Sequence, residues 1–190
     1  MELIFATYNP HKLSEIRNAL GPSYTIQGLV DFNEKEIPET GSTLEANSLI
    51  KAEYIFKKYQ KACFSDDTGL EVSALNNEPG VFSARYAGTG HSVDNIDLLL
   101  ANLIDQKDRK AQFKTIMTYF DENGRKFVFE GIVHGEIVLE KEGNEGFGYD
   151  PIFQPNGFKE TFAQMSLSQK NEISHRGIAL KKLLAHLTSR

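Results

Sequence analysis

Leu3-Ile4-Phe5-Ala6-Thr7-Tyr8-Asn9-Pro10-His11-Lys12 carries an apolar run of strand length directly into a helix start. Asn9 is a favoured N-cap, and Pro10 suits the first helical position, where no backbone N–H is missed. A helix is therefore predicted from Pro10, with Leu13, Ile16 and Leu20 as its apolar stripe. Its unsatisfied N–H groups and the positive end of its dipole would face whatever Thr7 and Lys12 face, which suits an anion such as phosphate. Taken alone, the same residues also describe an ordinary capped helix with a solvated lysine.

Outward from this junction, Thr43 opens a second helix with Leu44, Ile50, Tyr54 and Phe56 as apolar contacts, and a strand follows at residues 62–65. Ser92 is expected to cap a helix carrying Val93, Ile96, Leu99, Leu100 and Leu103. The period then changes. Residues 111–120 and 126–133 read as strands joined by the hairpin turn Asp121-Glu122-Asn123-Gly124, with a third strand expected at 136–140. Ser166 and Gln169 fit a capping box for a closing helix through Ile173, Leu180, Leu184 and Leu187. Strands and helices are mixed, and no internal repeat is visible.

The 190 residues show no Pro/Ser-rich linker, so one domain spanning 1–190 is expected. No apolar run approaches the roughly 20 residues that cross a bilayer, and the first residues lack the basic and apolar regions of a secretion signal. A cytoplasmic protein with no membrane partner is the expectation. Cys63, the single cysteine, reads as a buried strand thiol. The net charge of −5 argues against general nucleic-acid binding but leaves room for small anions held by a few converging cations.

Four further segments could carry chemistry. Asp66-Asp67-Thr68-Gly69-Leu70 follows the 62–65 strand, where vicinal carboxylates diverge: one can bind structure while the other holds a hard cation or accepts a proton. A solvated turn is the alternative. Glu39-Thr40-Gly41 adds a loop carboxylate, and Asn47 and Lys51 share a face of the second helix. These oxygen donors suit magnesium, whereas the scattered histidines and lone cysteine offer no zinc spacing. In Gly146-Phe147-Gly148-Tyr149-Asp150-Pro151, an aromatic between glycines offers either a face for a nucleobase or a rigid packed turn. Lys170 stands near the last helix with His175 and Arg176, whose donors together suit a 6-keto purine; His175 alone also fits a structural role.

Taken in order, these motifs resemble the inosine triphosphate pyrophosphatase family, also described as Ham1-like, over essentially the whole chain. The resemblance rests on Thr7, Asn9 and Lys12; Glu39-Thr40-Gly41 with Asn47 and Lys51; Asp66 to Leu70; Ser83-Ala84-Arg85-Tyr86; Gly146 to Pro151; and Ser174-His175-Arg176-Gly177. It implies an α/β fold with a long twisted mixed sheet flanked by helices, two lobes around a substrate cleft, and a homodimer. It also implies magnesium-dependent hydrolysis of inosine, deoxyinosine and xanthosine triphosphates (ITP, dITP, XTP) to the monophosphate and pyrophosphate. By the same resemblance Asp67 is catalytic and, with Glu39, holds the metal. Thr7, Tyr8, Asn9, Pro10, His11 and Lys12 grip phosphate, Thr68 and Lys170 contact substrate, and Phe147, Gly148, Tyr149, Asp150, His175 and Arg176 hold and read the base. Two departures stand out: Ala46-Asn47-Ser48 replaces the common Glu-Asn-Ala, leaving Glu45 as the nearest acid, and Tyr8 replaces a small residue or Asn. A pyrophosphatase for other modified nucleotides and a catalytically silent nucleotide-binding regulator are the rival readings.

Overall fold

A computed structural model describes residues 1–189. In chain order the elements are β1 (Glu2–Phe5), α1 (Pro10–Leu20), β2 (Thr25–Gly28), α2 (Leu44–Tyr59), β3 (Cys63–Val72), β4 (Glu78–Gly80), α3 (Ser92–Asn102), β5 (Lys110–Phe120), β6 (Lys126–Ile137), β7 (Phe153–Pro155), α4 (Leu167–Ile173) and α5 (His175–Thr188). The strands follow the order β2-β1-β3-β5-β6-β7 in a mixed seven-stranded sheet, with β4 added to β3. β1 is parallel to β2 and β3, whereas β3 and β4, and β6 and β7, pair antiparallel. The described residues form two compact units. The first takes Met1–Asp67, Thr115–Gly131 and the segment from Arg176; the second takes Thr68–Lys114 and Ile132–His175.

In the first unit the strand pleat sorts side chains to two faces. Leu3 and Phe5 join Leu13, Ile16 and Leu20 of α1 and Ala179, Leu180 and Leu183 of α5. Ile4 and Ala6 join Ala52 and Ile55 of α2. β3 repeats the alternation, with Phe64 stacked on Phe5 at 4.5 Å on the α1/α5 face and Cys63 on the α2 face. Full burial of such a ring contributes about 1.5–3 kcal/mol. Cys63 is fully buried, its Sγ lies 3.5 Å from the Ala52 carbonyl, and burial pushes its thiol pKa up to about 12. It is the inert strand thiol expected.

The second unit packs Leu70 and Val72 of β3 and Phe113 of β5 against Ile96, Leu99 and Leu103, with Ile137, Phe153 and Phe162 completing the cluster. Gly69 is required by a close approach: a Cβ there would lie 2.6 Å from the Gly80 carbonyl oxygen on β4.

Several expected features are present. The Asn9 side chain accepts from the His11 and Lys12 amides, Thr43 caps α2, and Ser166 and Gln169 close a capping box. The Asp121 carboxylate accepts from the Asn123 and Arg125 amides in the hairpin turn. Others differ. The 62–65 strand runs on to Val72, so Asp66 and Asp67 lie within it. His91 is the cap of α3, because its carbonyl accepts the first helical bond from Asn95, and Ser92 is already helical. Glu136 and Ile137 complete β6 and the chain then leaves the strand, so the pairing partner there is β7. The closing helix is interrupted at Ser174, whose extended backbone separates α4 from α5.

Gly69→Ala is expected to destabilise the chain by about 1–3 kcal/mol through overpacking against β4. A urea midpoint equal to that of the parent protein would refute this close-approach account.

Candidate active site

The pleat of β3 sends its adjacent acids to opposite faces of the first unit. Asp66 shares the α1/α5 face with Phe64. Its Oδ1 accepts from Lys12 Nζ at 3.0 Å, and its Oδ2 accepts from Arg176 Nε at 2.9 Å. Arg176 Nη1 also donates to Glu15 Oε2 at 2.5 Å. Asp66, Arg176 and Glu15 are all buried. Burial alone would raise the Asp66 pKa, but Lys12 and Arg176 outweigh it and hold the carboxyl well below its usual range. Burial lowers the Lys12 pKa, helped by Lys51 and Arg176, although Asp66 opposes the shift.

Asp67 points to the α2 face. Its Oδ2 accepts from Asn47 Nδ2 at 3.1 Å, and its Oδ1 lies 3.9 Å from Lys51 Nζ. The Gly41 amide donates to Asn47 Oδ1 at 2.7 Å, which fixes the amide so that its NH2 faces Asp67. A Cβ on Gly41 would lie 2.6 Å from the Ala46 Cβ, so this loop position must stay bare. Lys51 also donates to Glu39 Oε1 at 2.5 Å, which places both Glu39 and Asp67 on one ammonium. Burial raises the Asp67 pKa and Glu39 adds to the shift, while Lys51, Lys12 and Asn47 offset part of it. For Lys51 burial works downward, but Asp67, Glu39 and Asp66 prevail and raise the pKa.

The amino-terminal grip surrounds the start of α1. Thr7 Oγ1 accepts from the Asn9 amide at 3.2 Å, Asn9 caps the helix, Pro10 occupies its first turn, and Tyr8 and His11 are exposed. Glu45 is also exposed, in the first turn of α2.

In the second unit, Asp150 Oδ2 accepts from the Phe147 amide at 2.8 Å and from Lys170 Nζ at 2.6 Å. The Lys170 ammonium lies 5.0 Å from the Phe147 ring centroid. Gly146 has φ 74°, and a Cβ there would fall 2.1 Å from Asp150 Oδ2; the glycine loop therefore closes on its own carboxylate. Gly148 also has a positive φ, of 60°. Tyr149 is buried, its hydroxyl donates to the Ser83 carbonyl at 2.9 Å, and burial pushes its pKa upward. His175 is buried with its ring stacked on Phe113 at 4.5 Å, and Thr68 is half-buried on β3.

Sequence reasoning singled out Asn47 and Lys51 as a helix pair and as part of the family pattern, without a role for either, and it missed Glu15. The available signal for Glu15 was an acid interrupting the apolar stripe of α1 between Leu13 and Ile16, three residues after Lys12.

The converging carboxylates fit a hard divalent cation. Among the described residues no group of three or more His, Cys, Asp or Glu side chains is placed to hold a metal. Magnesium, however, needs only one or two protein carboxylates and completes its shell with water and phosphate oxygens. Glu39 and Asp67, already drawn to one cation, meet that requirement.

The family model described as the Ham1 family matches residues 3–186. The chain belongs to the Ham1 family. Within that family it is 49% identical over 191 residues to the dITP/XTP pyrophosphatase of Flavobacterium johnsoniae, covering 100% of this chain and 99% of the relative. Identity to the dITP/XTP pyrophosphatase of Flavobacterium psychrophilum is 50%, covering 97% of each. The solved structure of the Staphylococcus aureus Ham1 protein is 40% identical, with a TM-score of 0.89 and coverage of 100% of this chain and 99% of that one. This agreement, with the mixed sheet and its helices, bears out the expected α/β class.

The Asp66 pairing gives this Ham1-family chain a defined acid response. A carboxyl held below its unfolded value of 3.8 contributes stability that is present above that pH and is lost as pH falls below it. Asp66→Asn removes the buried carboxylate that Lys12 and Arg176 share and leaves Glu15 as the acid on Arg176, so it is expected to cost about 3–5 kcal/mol near pH 7 and to flatten the acid limb of stability. Urea unfolding across the acid range checks both effects; an unchanged acid limb in the variant would show that Asp66 does not carry it.

Proposed function

We propose that this protein hydrolyses dITP, ITP and XTP between the α- and β-phosphates, releasing the monophosphate and pyrophosphate. The observation that carries the reading is the Asp67 carboxylate, held by Asn47 beside Lys51 and Glu39, in a chain about half identical to proteins named dITP/XTP pyrophosphatase. The names of those relatives supply the substrate class; the arrangement around Asp67 supports the chemistry.

In this reading Glu39 and Asp67 hold magnesium, which when bound neutralises phosphate charge and lowers the pKa of a bound water. Asp67 accepts the proton of the attacking water. Thr7 to Lys12 take the phosphates, and the Lys12 ammonium offsets charge on the departing pyrophosphate. Thr68 contacts the substrate beside Asp67. Phe147 offers its ring to the purine, worth about 1–3 kcal/mol for a stacked base. Gly148, Tyr149 and Asp150 shape that loop, while Lys170, His175 and Arg176 serve as donors to the 6-keto edge.

We also propose that the whole chain works as one catalytic domain, in the cytoplasm and as a homodimer; the family resemblance supports the dimer, and the family match across residues 3–186 supports the single domain. Among the described residues no helix is long and apolar enough to cross a membrane.

Asp67→Asn is expected to fold normally and to lower turnover at least about a hundredfold. Pyrophosphate release from dITP, XTP, GTP and ATP, each with and without magnesium, tests the substrate class and the metal together. Near-parental turnover in the variant, or equal activity on all four nucleotides, would overturn the corresponding assignment.

A further inference from the structure

Four charged groups lie in series in the first unit: Glu15, Arg176, Asp66 and Lys12. The successive contacts are 2.5 Å, 2.9 Å and 3.0 Å, and the series sums to zero. Glu15 is 4% exposed, on the α1 stripe that also buries Leu13 and Ile16. Packed apolar residues in place of a whole buried charge network are commonly neutral or stabilising, so burial of these charges is not explained by stability alone. The carboxylate therefore invites an electrostatic explanation.

Lys12 is the most exposed member of the series, with 15% of its side chain accessible, against 5% or less for the other three. It is the member able to turn toward an incoming anion. When it does, Arg176 still compensates Asp66, and Glu15 still compensates Arg176. Without Glu15 the remaining three groups carry one net positive charge in a poorly screened setting, which attracts any polyphosphate, product as well as substrate. Tighter binding shared by substrate and product does not speed the chemical step, and it retards release.

We infer that Glu15 is a positioning residue that holds Arg176 on Asp66 and balances the charge behind Lys12, so that the phosphate grip lets pyrophosphate go. The inference rests on the proposed role of Lys12 as a phosphate ligand.

The test is calorimetric binding of inorganic pyrophosphate, with magnesium, to the full-length chain and its variants. Pyrophosphate has no base, so base reading by Arg176 does not enter the measurement. Glu15→Gln is expected to tighten binding by about three- to tenfold, with a steeper salt dependence. Arg176→Gln should weaken binding, and the double variant should return to within about twofold of the parent, because the remaining Asp66 and Lys12 charges cancel. Glu15→Asp, which keeps the charge, should stay near the parent value. A purely structural role predicts weaker binding in every variant, so the order of affinities decides the matter. Weaker or unchanged binding in a folded Glu15→Gln chain would overturn the inference. If that chain does not fold, failure of Glu15→Gln to tighten binding in the Arg176→Gln background overturns it instead. Lys12→Ala separates the two claims. If it leaves pyrophosphate binding unchanged, the phosphate grip itself is wrong; if it weakens binding while the predicted order fails, only the role of Glu15 is.

Discussion

Two consecutive aspartates in a fully extended strand cannot share a face, and the first unit is arranged around that constraint. The pleat that sends Phe64 and Cys63 to opposite faces also sends Asp66 toward α1 and α5 and Asp67 toward α2. Each carboxylate is then buried where it needs compensation from elements distant in sequence. Lys12 and Arg176 meet Asp66; Asn47 and Lys51 meet Asp67. A one-residue slip in the register of β3 would put both carboxylates among the wrong partners, so the sheet pairing and the site specify each other.

The two faces give the acids different electrostatic characters. Asp66 meets two cations at hydrogen-bond distance, so charge attraction exceeds the cost of burial and the carboxyl stays ionised. Asp67 meets a neutral amide and a more distant ammonium that Glu39 also claims, so burial prevails and its pKa rises. One vicinal pair thus supplies a fixed anion on one face and, on the other, the more basic carboxyl to which the proposed function assigns the chemistry. The arginine in the first network is not replaceable by lysine on geometric grounds. Its planar fork reaches Asp66 through Nε and Glu15 through Nη1, two directions that a single ammonium on a flexible stem does not fix together.

What was legible in the sequence was what local chemistry determines. The Asn9-Pro10 cap, the Thr43 cap, the turn at Asp121 to Gly124 and the Ser166 capping box each depend on residues within one turn of one another, and each is present. The true length of β3 was not legible, because Asp66-Asp67-Thr68-Gly69 has the composition of a turn. Only counter-charges 54 and 110 residues away make it tolerable as buried strand. Glu15 escaped for the same reason: its partner lies 161 residues downstream. The tight turn at Gly146-Phe147-Gly148 follows from local chemistry, since the close approach required at Gly146 is to Asp150 four residues on. The order of motifs identified the family and singled out Asp67; the partners of Asp66 and Asp67 needed the fold.

The second unit bears on selectivity under the proposed function. Asp150 accepts from both the Phe147 amide and Lys170, so the aromatic loop and the ammonium are fixed to one another before any ligand arrives. Lysine and arginine side chains only donate hydrogen bonds. Facing a 6-keto purine, such groups meet an acceptor; facing adenine, they meet the 6-amino donor, and donors are left opposed and unpaired. An unpaired buried polar group costs more than a missing contact, so rejection of adenine by donors held in place is stronger than rejection by shape alone. Mobility in Lys170 would let it turn away from the amino group and soften that penalty. The buried Asp150 carboxylate opposes such movement, and in this reading it contributes to selectivity without touching the base.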